Sequence, residues 1–502
     1  MLPSFPSEKE LHLPVPVAAP AAQRARSWSL FRALVVVVGL VQLCRFALSD
    51  SSTPAQGDGS GRAISTDSFF WTRNDASSLC PGERGNASYS GYIGLNGDSD
   101  DSPRRSFYWF FEAQVDPENA PVVLTIGGGP GSSGLLNPLF GQSHCTVREN
   151  GTVPNPNAWS ENVNVLALDH PIGVGYSYGL GVDNSRDAAH DVYDFLQKWF
   201  AVNPQYSRNN FVVASGSYGG TYVPHIATVI HEHNKELAVG RGPVGAQHIN
   251  LEALMLSNPM SDARSWFTWH LQQACYNTDL YNATQCAHYF SILPQCLEGI
   301  ELAYSEPTLD NRVEATQFCL QMLIGDTHGR TTDNIKHKCT GDALECNPEF
   351  GWAVDLLNST ETKEILGVPQ ELTFTPVNVE VNQNFSFAGD HTQQAFRLYE
   401  PLLRDGIRIL HYIGKLDTIV GWPSTLSFLR LMNTQFSEEF RTAPDIPWPS
   451  EDIATVRAIG PGAGNFTLVF MAEAGHFVTK DQPALAKKIM QHWVANEPWF
   501  KS

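Results

Sequence analysis

The chain of 502 residues is long enough for a large α/β domain. Hydrophobic residues make up 42% of it and charged residues 17%, which is enough apolar material for a sizeable core. A formal net charge of −19, with no basic patch carrying interleaved aromatic residues, argues against a nucleic-acid partner. An acidic surface of this kind mainly indicates solubility.

The N-terminal residues 1–66 are interpreted as a targeting segment and a linker. The apolar run 33–44 would span about 18 Å as a helix, short of the roughly 30 Å of a bilayer core. That length favours the h-region of a cleaved signal peptide, with an uncleaved membrane anchor over 30–48 as the alternative. Residues 49–66 are rich in Ser, Gly and Asp, as linkers are. We therefore expect a secretory-pathway protein, secreted, vacuolar or membrane-anchored, with its folded domain over 67–502.

Strands alternate with helical stretches between residues 105 and 260, which predicts βαβ units and a mostly parallel sheet flanked by helices. The region 263–350 has a different character, since it carries six of the nine cysteines and few β-rich runs. It is predicted to be a disulfide-stapled helical insertion over the active site. Further strands are predicted at 407–413 and 466–471, and a closing helix at about 483–495.

A strand from Pro121 to Ile126 runs into a glycine-rich loop, Gly127 to Gly134. Glycines let backbone N–H groups approach an anion closely, because no Cβ intervenes. The loop lacks the lysine of a P-loop and the acidic partner of a dinucleotide-binding fingerprint. An oxyanion hole, which stabilises charge that develops in a transition state, is the better explanation.

The run from Phe211 to Gly220 places four residues of strand character before Ser217 and small residues around it. This pattern is typical of a nucleophile elbow, a sharp strand-to-helix turn that presents a serine hydroxyl above a sheet. The match to G-x-S-x-G is partial, because Ser215 stands in place of the first glycine.

A serine nucleophile needs a histidine base and a carboxylate that orients the histidine. Asp417 follows a predicted buried strand that begins near Arg408, and His476 follows another that begins at Phe466. In α/β-hydrolases the chain order is Ser, then Asp or Glu, then His. The order and the placement after strands predict a catalytic triad of Ser217, Asp417 and His476.

Four further features accompany the Ser217 elbow and the glycine-rich loop: an opening hairpin (Ser88–Ile93 with Phe107–Glu112), an N-P-x-x-W motif (Asn155–Trp159), a segment close to D-x-P-x-x-x-G-F-S-Y (Asp169–Tyr178) and a Gly-His segment (Gly475–Pro483). On these features the chain resembles, over roughly residues 78–500, the serine carboxypeptidases, a peptidase family with the α/β-hydrolase fold and a Gly-Gly-Pro-Gly loop. The resemblance implies an acyl-enzyme mechanism that releases C-terminal residues, with oxyanion N–H groups from Gly129 and Tyr218.

The chain departs from the family at the positions that recognise a substrate's terminal carboxylate. The family uses an Asn before its Gly-Gly-Pro-Gly loop, a Glu after that loop and the Glu of G-E-S-Y. The matching residues are Gly127, Gly141 (or Gln142) and Gly216, and Gly127, Gly128 and Gly216 are expected to line the substrate site. Backbone N–H groups or His170 are expected to compensate in part, and the absence of a carboxyl pair predicts no strongly acidic optimum.

Eight cysteines outside the targeting segment, which holds Cys44, indicate an oxidising compartment, although the sequence alone does not choose among their pairings. The resemblance implies four disulfides: Cys80–Cys145, Cys275–Cys286, Cys296–Cys319 and Cys339–Cys346. No C-x-x-C pair is present, so zinc binding is not expected. No cofactor is predicted. Six N-x-[ST] sequons are typical of a secreted glycoprotein, at Asn86, Asn150, Asn282, Asn358, Asn384 and Asn465.

The leading hypothesis is therefore a serine carboxypeptidase-like hydrolase that acts on a peptide or acyl substrate. One alternative is an esterase or acyltransferase on the same fold, which the glycines at the carboxylate-binding positions favour. The other is a glycoprotein that keeps the scaffold without catalysis, which the retained triad residues argue against.

Overall fold

A computed structural model describes residues 64–82, 87–323, 325–339, 345–450 and 452–500. The predicted targeting segment and most of the linker fall outside these ranges. Within them, no helix combines the length and the apolar character that crossing a membrane requires.

A large mixed β-sheet forms the centre of the fold. Its strands follow the spatial order β1-β2-β3-β7-β4-β9-β10-β11-β14-β13-β12, with β8 paired to β3, while β5 and β6 form a separate hairpin. The strands are β1 (Asn74–Asp75), β2 (Ser88–Gly94), β3 (Arg104–Phe111), β4 (Val122–Ile126), β5 (Cys145–Arg148), β6 (Gly151–Pro154), β7 (Asn164–Leu168), β8 (Tyr178–Gly179), β9 (Phe211–Gly216), β10 (Leu251–Ser257), β11 (Arg408–Gly414), β12 (Ile446–Pro447), β13 (Ala454–Ile459) and β14 (Phe466–Met471).

The six central strands, β7, β4, β9, β10, β11 and β14, are all parallel to their neighbours. The outer strands on both sides are antiparallel. The prediction of a mostly parallel sheet is confirmed for this central part, where helices cover both faces and the strands are continuous apolar runs. Parallel strands end at one common edge, so the loops that follow β4, β9, β10, β11 and β14 can form one site.

Helices supply the two outer layers, and the predicted closing helix is present at Pro483–Val494. The helices are α1 (Ser185–Val202), α2 (Gly219–Ala238), α3 (Ala263–Gln272), α4 (Ala283–Ser305), α5 (Leu309–Leu320), α6 (Pro348–Asn358), α7 (Thr360–Leu366), α8 (Val379–Phe387), α9 (Tyr399–Arg404), α10 (Trp422–Leu431), α11 (Ser437–Thr442), α12 (Val478–Asp481) and α13 (Pro483–Val494).

Two hydrophobic clusters fill the spaces between the sheet and these layers. Alternate residues of β4 contribute to different clusters, as the side-chain period of a strand requires. Leu124 belongs to a cluster with Trp199 of α1 and Ile226 of α2. Val123 belongs to a second cluster with Trp493 of α13. The sheet is therefore buried on both faces, which fixes the position of every strand end relative to the others.

The described part of 263–350 is mainly helical, with α3, α4 and α5 at its centre. All four disulfides that the resemblance implied are present in the structure, three of them in this region and the fourth, Cys80–Cys145, near the start of the domain. The three disulfides within 263–350 stabilise this region, chiefly by restricting the unfolded chain.

His411, in the middle of β11, is fully buried, and neither of its ring nitrogens has a hydrogen-bond partner. Its ring lies against three aromatic rings, those of Tyr399, Phe428 and Phe466. Burial without a polar partner lowers the pKa of His411 to about 3. Burial likewise lowers the pKa values of four other histidines to about 3 or about 4, namely His144, His170, His270 and His391.

These histidines predict a free energy of unfolding that falls as the pH drops below 6.5. The unfolded chain binds protons there, whereas the buried rings stay neutral until the pH approaches their own lowered pKa values. One such site costs about 2 kcal/mol between pH 7.5 and pH 5. The check is urea unfolding of the wild type and of His411→Leu at pH 7.5 and pH 5. The stability lost between these pH values should be about 2 kcal/mol smaller in the variant.

Asp169 has the opposite effect on the free energy of unfolding. Burial raises the pKa of Asp169 to about 7, so its protonation stabilises the folded state as the pH falls. A single-site variant is therefore the clean comparison, since the contribution of Asp169 is common to both proteins. An identical loss of stability in the wild type and His411→Leu would contradict the assignment.

Candidate active site

Ser217 lies in the turn between β9 and α2, the position predicted for a nucleophile elbow. Its φ of +56° is in the left-handed region, which a non-glycine residue adopts only when its surroundings enforce it. Two backbone hydrogen bonds do so: the Ser217 N–H donates to the Ser257 carbonyl at 3.1 Å, and its own carbonyl accepts from Met260 at 2.8 Å. The following helix needs small residues here, since a Cβ at Gly219 would lie 1.9 Å from Ser215 Oγ.

His476 and Asp417 meet at the same edge of the sheet. Nδ1 of His476 lies 2.7 Å from Oδ2 of Asp417, a hydrogen bond that leaves Nε2 available on the other side of the ring. The backbone before the histidine is also held, because Gly475 N–H donates to Asp481 Oδ2 at 2.7 Å. The Gly-His turn after β14 is therefore a fixed feature rather than a free loop.

The Asp417 carboxylate is completely buried and is surrounded by hydrogen-bond donors. Oδ1 accepts from the backbone N–H of Ile419 at 2.7 Å and of Val420 at 3.3 Å. Oδ2 accepts from the side-chain amide of Asn258 at 2.7 Å and from His476. A buried carboxylate is tolerated only with such compensation, so this shell keeps the charge beside the imidazole.

Asn258 is a site residue that the sequence analysis missed. It follows β10 with a φ of +42°, a conformation that asparagine tolerates better than most residues. Besides its bond to Asp417, its Oδ1 accepts from Gly414 N–H at 3.0 Å, which ties the end of β10 to the end of β11. The available signal was an Asn-Pro pair directly after a strand of the parallel sheet, at the edge where the other catalytic loops lie.

Ser217 and His476 line one cavity of about 260 Å³. No direct hydrogen bond joins the two side chains in this structure, and catalytic hydrogen bonds of this kind are often long or poorly aligned before a substrate binds. Of the region 263–350, only Phe350 is among the described lining residues. The described part of the insertion therefore contributes one residue to the cavity wall. It supports the catalytic loops instead, with Trp266 Nε1 donating to the Ile419 carbonyl at 2.8 Å.

Burial is the largest influence on the His476 ring and disfavours its charged form, but the charge of Asp417 and the hydrogen bond to it outweigh that effect. Asp333 and Asp481 act in the same direction as Asp417. Together they raise the pKa of His476 above its ordinary value of 6.5. A more basic imidazole is a stronger proton acceptor once it is neutral, as the base of a serine nucleophile must be.

The glycine-rich loop and the elbow lie against each other at the cavity. A Cβ added to Gly128 would be 2.9 Å from Ser217 Cβ and 3.1 Å from the Tyr218 nitrogen. Among the described residues, no protein acceptor pairs with the N–H of Gly129 or of Tyr218. Tyr218 also stands at the N-terminus of α2, where the helix dipole favours negative charge. The two amides predicted to form an oxyanion hole thus remain available as donors.

The glycines at the expected substrate-recognition positions are required by close backbone packing. A Cβ at Gly127 would lie 2.0 Å from the Ser132 carbonyl oxygen, and one at Gly216 would lie 2.4 Å from Ser257 Oγ. Gly127, Gly128 and Gly216 all line the cavity. The expectation for His170 is wrong, since this residue is buried against Tyr222 and is not a lining residue.

The sequons differ in their surroundings. Asn86 lies outside the described residues, while Asn150, Asn282 and Asn384 are exposed and Asn358 and Asn465 are half-buried. The Asn358 amide donates to the Val354 and Phe374 carbonyls, both at 3.0 Å. A glycan on that nitrogen would disrupt these bonds, so Asn358 is the least suitable of the described sequons.

No cluster of three metal-ligating side chains is found in the described ranges.

Comparisons with known proteins agree with this geometry. The profile of the family described as "Serine carboxypeptidase" matches residues 81–496. Carboxypeptidase Y homolog A of Pyricularia oryzae is 32% identical over 421 residues, which cover 82% of this chain and 73% of the relative. The Neurospora crassa homolog is 30% identical over 424 residues, with the same coverage. Kex1, a prohormone-processing carboxypeptidase of Saccharomyces cerevisiae, has a similar structure, with a TM-score of 0.71, 20% identity and coverage of 86% and 97% of the two chains.

The Asn258 contacts predict that Asn258→Ala lowers kcat/KM by about tenfold to a hundredfold, the value of a hydrogen bond to a charged group. The loss should come from a less well-held Asp417, which positions His476. The measurement is kcat/KM on one N-blocked dipeptide. The enzyme concentration is taken as the concentration of Ser217 that a fluorophosphonate probe labels covalently. Asn250→Ala, at the opposite end of β10, is the matched control. Equal activity in the two variants would count against this role.

Proposed function

Because the chain belongs to the serine carboxypeptidase family and is a serine-type peptidase that releases C-terminal residues, we propose that Ser217, His476 and Asp417 carry out this reaction. The observation that carries the assignment is the 2.7 Å hydrogen bond between His476 and the buried Asp417. It lies beside a cavity that both His476 and Ser217 line. The family match makes the esterase, acyltransferase and non-catalytic alternatives unnecessary.

In the first half of the reaction, Ser217 Oγ attacks the carbonyl carbon of the C-terminal peptide bond. His476 Nε2 takes the hydroxyl proton, and Asp417 stabilises the resulting imidazolium while holding the ring in place. The carbonyl oxygen becomes an oxyanion, which the N–H groups of Gly129 and Tyr218 stabilise. Collapse breaks the C–N bond, and the leaving amine receives the proton from His476.

In the second half, water attacks the ester carbon of the acyl-enzyme. His476 takes a proton from that water and returns it to Ser217, so one water is consumed and the catalyst is restored. The Tyr218 amide can keep its position throughout, because the Tyr218 side chain is anchored by a 2.6 Å hydrogen bond from its hydroxyl to Asp390.

We infer an oxidising compartment of the secretory pathway as the location. Four disulfides in one chain are uncommon in reducing compartments, and three exposed sequons suit passage through a glycosylating one.

The triad assignment predicts that Ser217→Ala, His476→Ala and Asp417→Ala each remove most turnover of a blocked dipeptide. Because the three residues act as a unit, the Ser217→Ala/His476→Ala double variant should lose little more than the worse single one. A fluorophosphonate should label the wild type at Ser217 and leave Ser217→Ala unlabelled, as shown by peptide mass spectrometry. Near-normal turnover by Ser217→Ala would sink the mechanism.

The raised pKa of His476 predicts the acid side of the pH profile. kcat/KM should fall tenfold per pH unit below an apparent pKa above 6.5, because only the neutral ring accepts the serine proton. The measurement is kcat/KM from pH 4 to 9, with each sample returned to pH 7.5 to show that activity recovers. A rate that rises as the pH falls toward 4.5 would contradict this prediction.

A further inference from the structure

Asp169 is a buried carboxylate that the proposed reaction does not use. It follows β7, at the edge of the sheet where the catalytic loops lie, and it is 1% exposed. Its Oδ1 accepts from the Ser133 hydroxyl at 2.5 Å, and its Oδ2 accepts from the Tyr176 N–H at 2.8 Å. A carboxylate is costly to bury unless donors surround it, so each of these bonds holds the segment that supplies the donor.

The loop after β7 is built closely around this carboxylate. A Cβ at Gly175 would lie 2.1 Å from Asp169 Oδ2, so only glycine fits there. The Ser177 hydroxyl donates to the Asp169 carbonyl at 2.7 Å, and the Asp169 N–H donates to the Phe107 carbonyl at 3.1 Å. The carboxylate therefore has a fixed position relative to the sheet, and Ser133 is held against that position.

Ser133 belongs to the glycine-rich loop, and its buried hydroxyl has a defined direction. The hydroxyl oxygen accepts from the Leu135 N–H at 3.1 Å, while the hydroxyl proton goes to Asp169. The Ser133 N–H donates to the Pro376 carbonyl at 2.9 Å. Ser133 is thus fixed from two sides, and without Asp169 its hydroxyl proton would lose its acceptor in a buried place.

The backbone at Ser133 packs on the part of the loop that carries an oxyanion amide. A Cβ at Gly127 would lie 2.0 Å from the Ser132 carbonyl oxygen and 3.0 Å from the Ser133 carbonyl carbon. The Ser132 N–H donates to the Gly128 carbonyl at 3.2 Å, which closes the loop across Gly129. Because backbone touches backbone here, a shift of Ser133 also moves the Gly129 N–H.

Building on the proposed function, we propose that Asp169 is a positioning residue for the oxyanion hole, which holds the Gly129 amide in place through Ser133. Oxyanion donors stabilise a transition state only when they are fixed beside the developing charge, and loss of one donor costs about 10²–10³-fold in kcat. The Tyr218 amide is held separately, at the start of α2 and by the bond from its side chain to Asp390. Loss of the bond between Asp169 and Ser133 should therefore weaken one donor and leave the triad intact.

Two variants remove this bond from either end with little change in volume, Ser133→Ala and Asp169→Asn. An amide has a single acceptor oxygen, which the Tyr176 N–H retains because a backbone donor cannot rotate, so the Ser133 hydroxyl proton loses its acceptor. The assay is cleavage of benzyloxycarbonyl-Phe-Leu at pH 8, above the pKa of Asp169 of about 7.

Each single variant should lower kcat by at least about fivefold, because a donor is displaced rather than deleted, with KM changed less than threefold. The double variant should lose little more than the worse single one, since both substitutions remove one interaction. A fall of less than fivefold in either variant, or losses that multiply in the double variant, would overturn the proposal.

A second measurement separates positioning from a general loss of structure. Benzyloxycarbonyl-phenylalaninal is attacked by Ser217, whose O–H adds across the aldehyde C=O bond to give a hemiacetal with its oxygen in the oxyanion position. The corresponding alcohol, benzyloxycarbonyl-phenylalaninol, binds without forming this bond. The ratio of the aldehyde Ki to the alcohol Ki should rise at least threefold in both variants. A smaller rise would mean that Asp169 has only a structural role.

Asp262→Asn is the matched control, because Asp262 is a similarly buried aspartate at the start of α3. An asparagine there can still accept from the Ser265 N–H and can donate to the Tyr304 hydroxyl, so kcat and the Ki ratio should stay at their wild-type values.

Fluorophosphonate labelling, run to completion, counts the folded active sites in every sample, and kcat is expressed per labelled site. Wild-type kcat and Ki ratios in Ser133→Ala and Asp169→Asn would overturn the role of Asp169 and leave the proposed function intact. A wild-type enzyme that is neither labelled at Ser217 nor able to cleave the peptide would overturn the proposed function as well.

Discussion

The buried Asp417 carboxylate is the group on which the rest of the catalytic site depends. An ion without water is tolerated only where donors surround it, and here they come from separate segments: Asn258 after β10, Ile419 and Val420 beyond β11, and His476 after β14. These segments converge because the parallel strands end at one edge of a sheet that is buried on both faces. The register of the sheet therefore sets the direction in which the imidazole points.

A second constraint is the close approach of two backbones, the glycine-rich loop and the elbow. Gly128 is within contact of Ser217 and Tyr218, and the room at Gly127 and Gly216 is taken by Ser132 and Ser257. This packing brings the two oxyanion amides to the nucleophile. It also excludes larger side chains from the recognition positions.

Much of the fold and the triad could be predicted from sequence because their signals are local. An apolar strand followed by Ser217, by Asp417 or by His476 is visible in a short window, and the order of the three along the chain adds specificity. Asn258 could not be found in this way. Its role depends on a partner far along the chain, Asp417. His170 was misjudged for the same reason, since neighbours that are distant in sequence bury it.

Three features of the structure indicate the pH range in which the enzyme works. The cavity wall has no described carboxyl pair that would need a shared proton at low pH. The surroundings of His476 raise its pKa, so the base loses its catalytic form as the pH falls. Buried rings such as His411 make the folded state itself less stable in acid. The last two effects lower activity and stability as the pH falls, and the first leaves no carboxyl pair in the described wall that would favour acid. Together they favour catalysis near neutral pH.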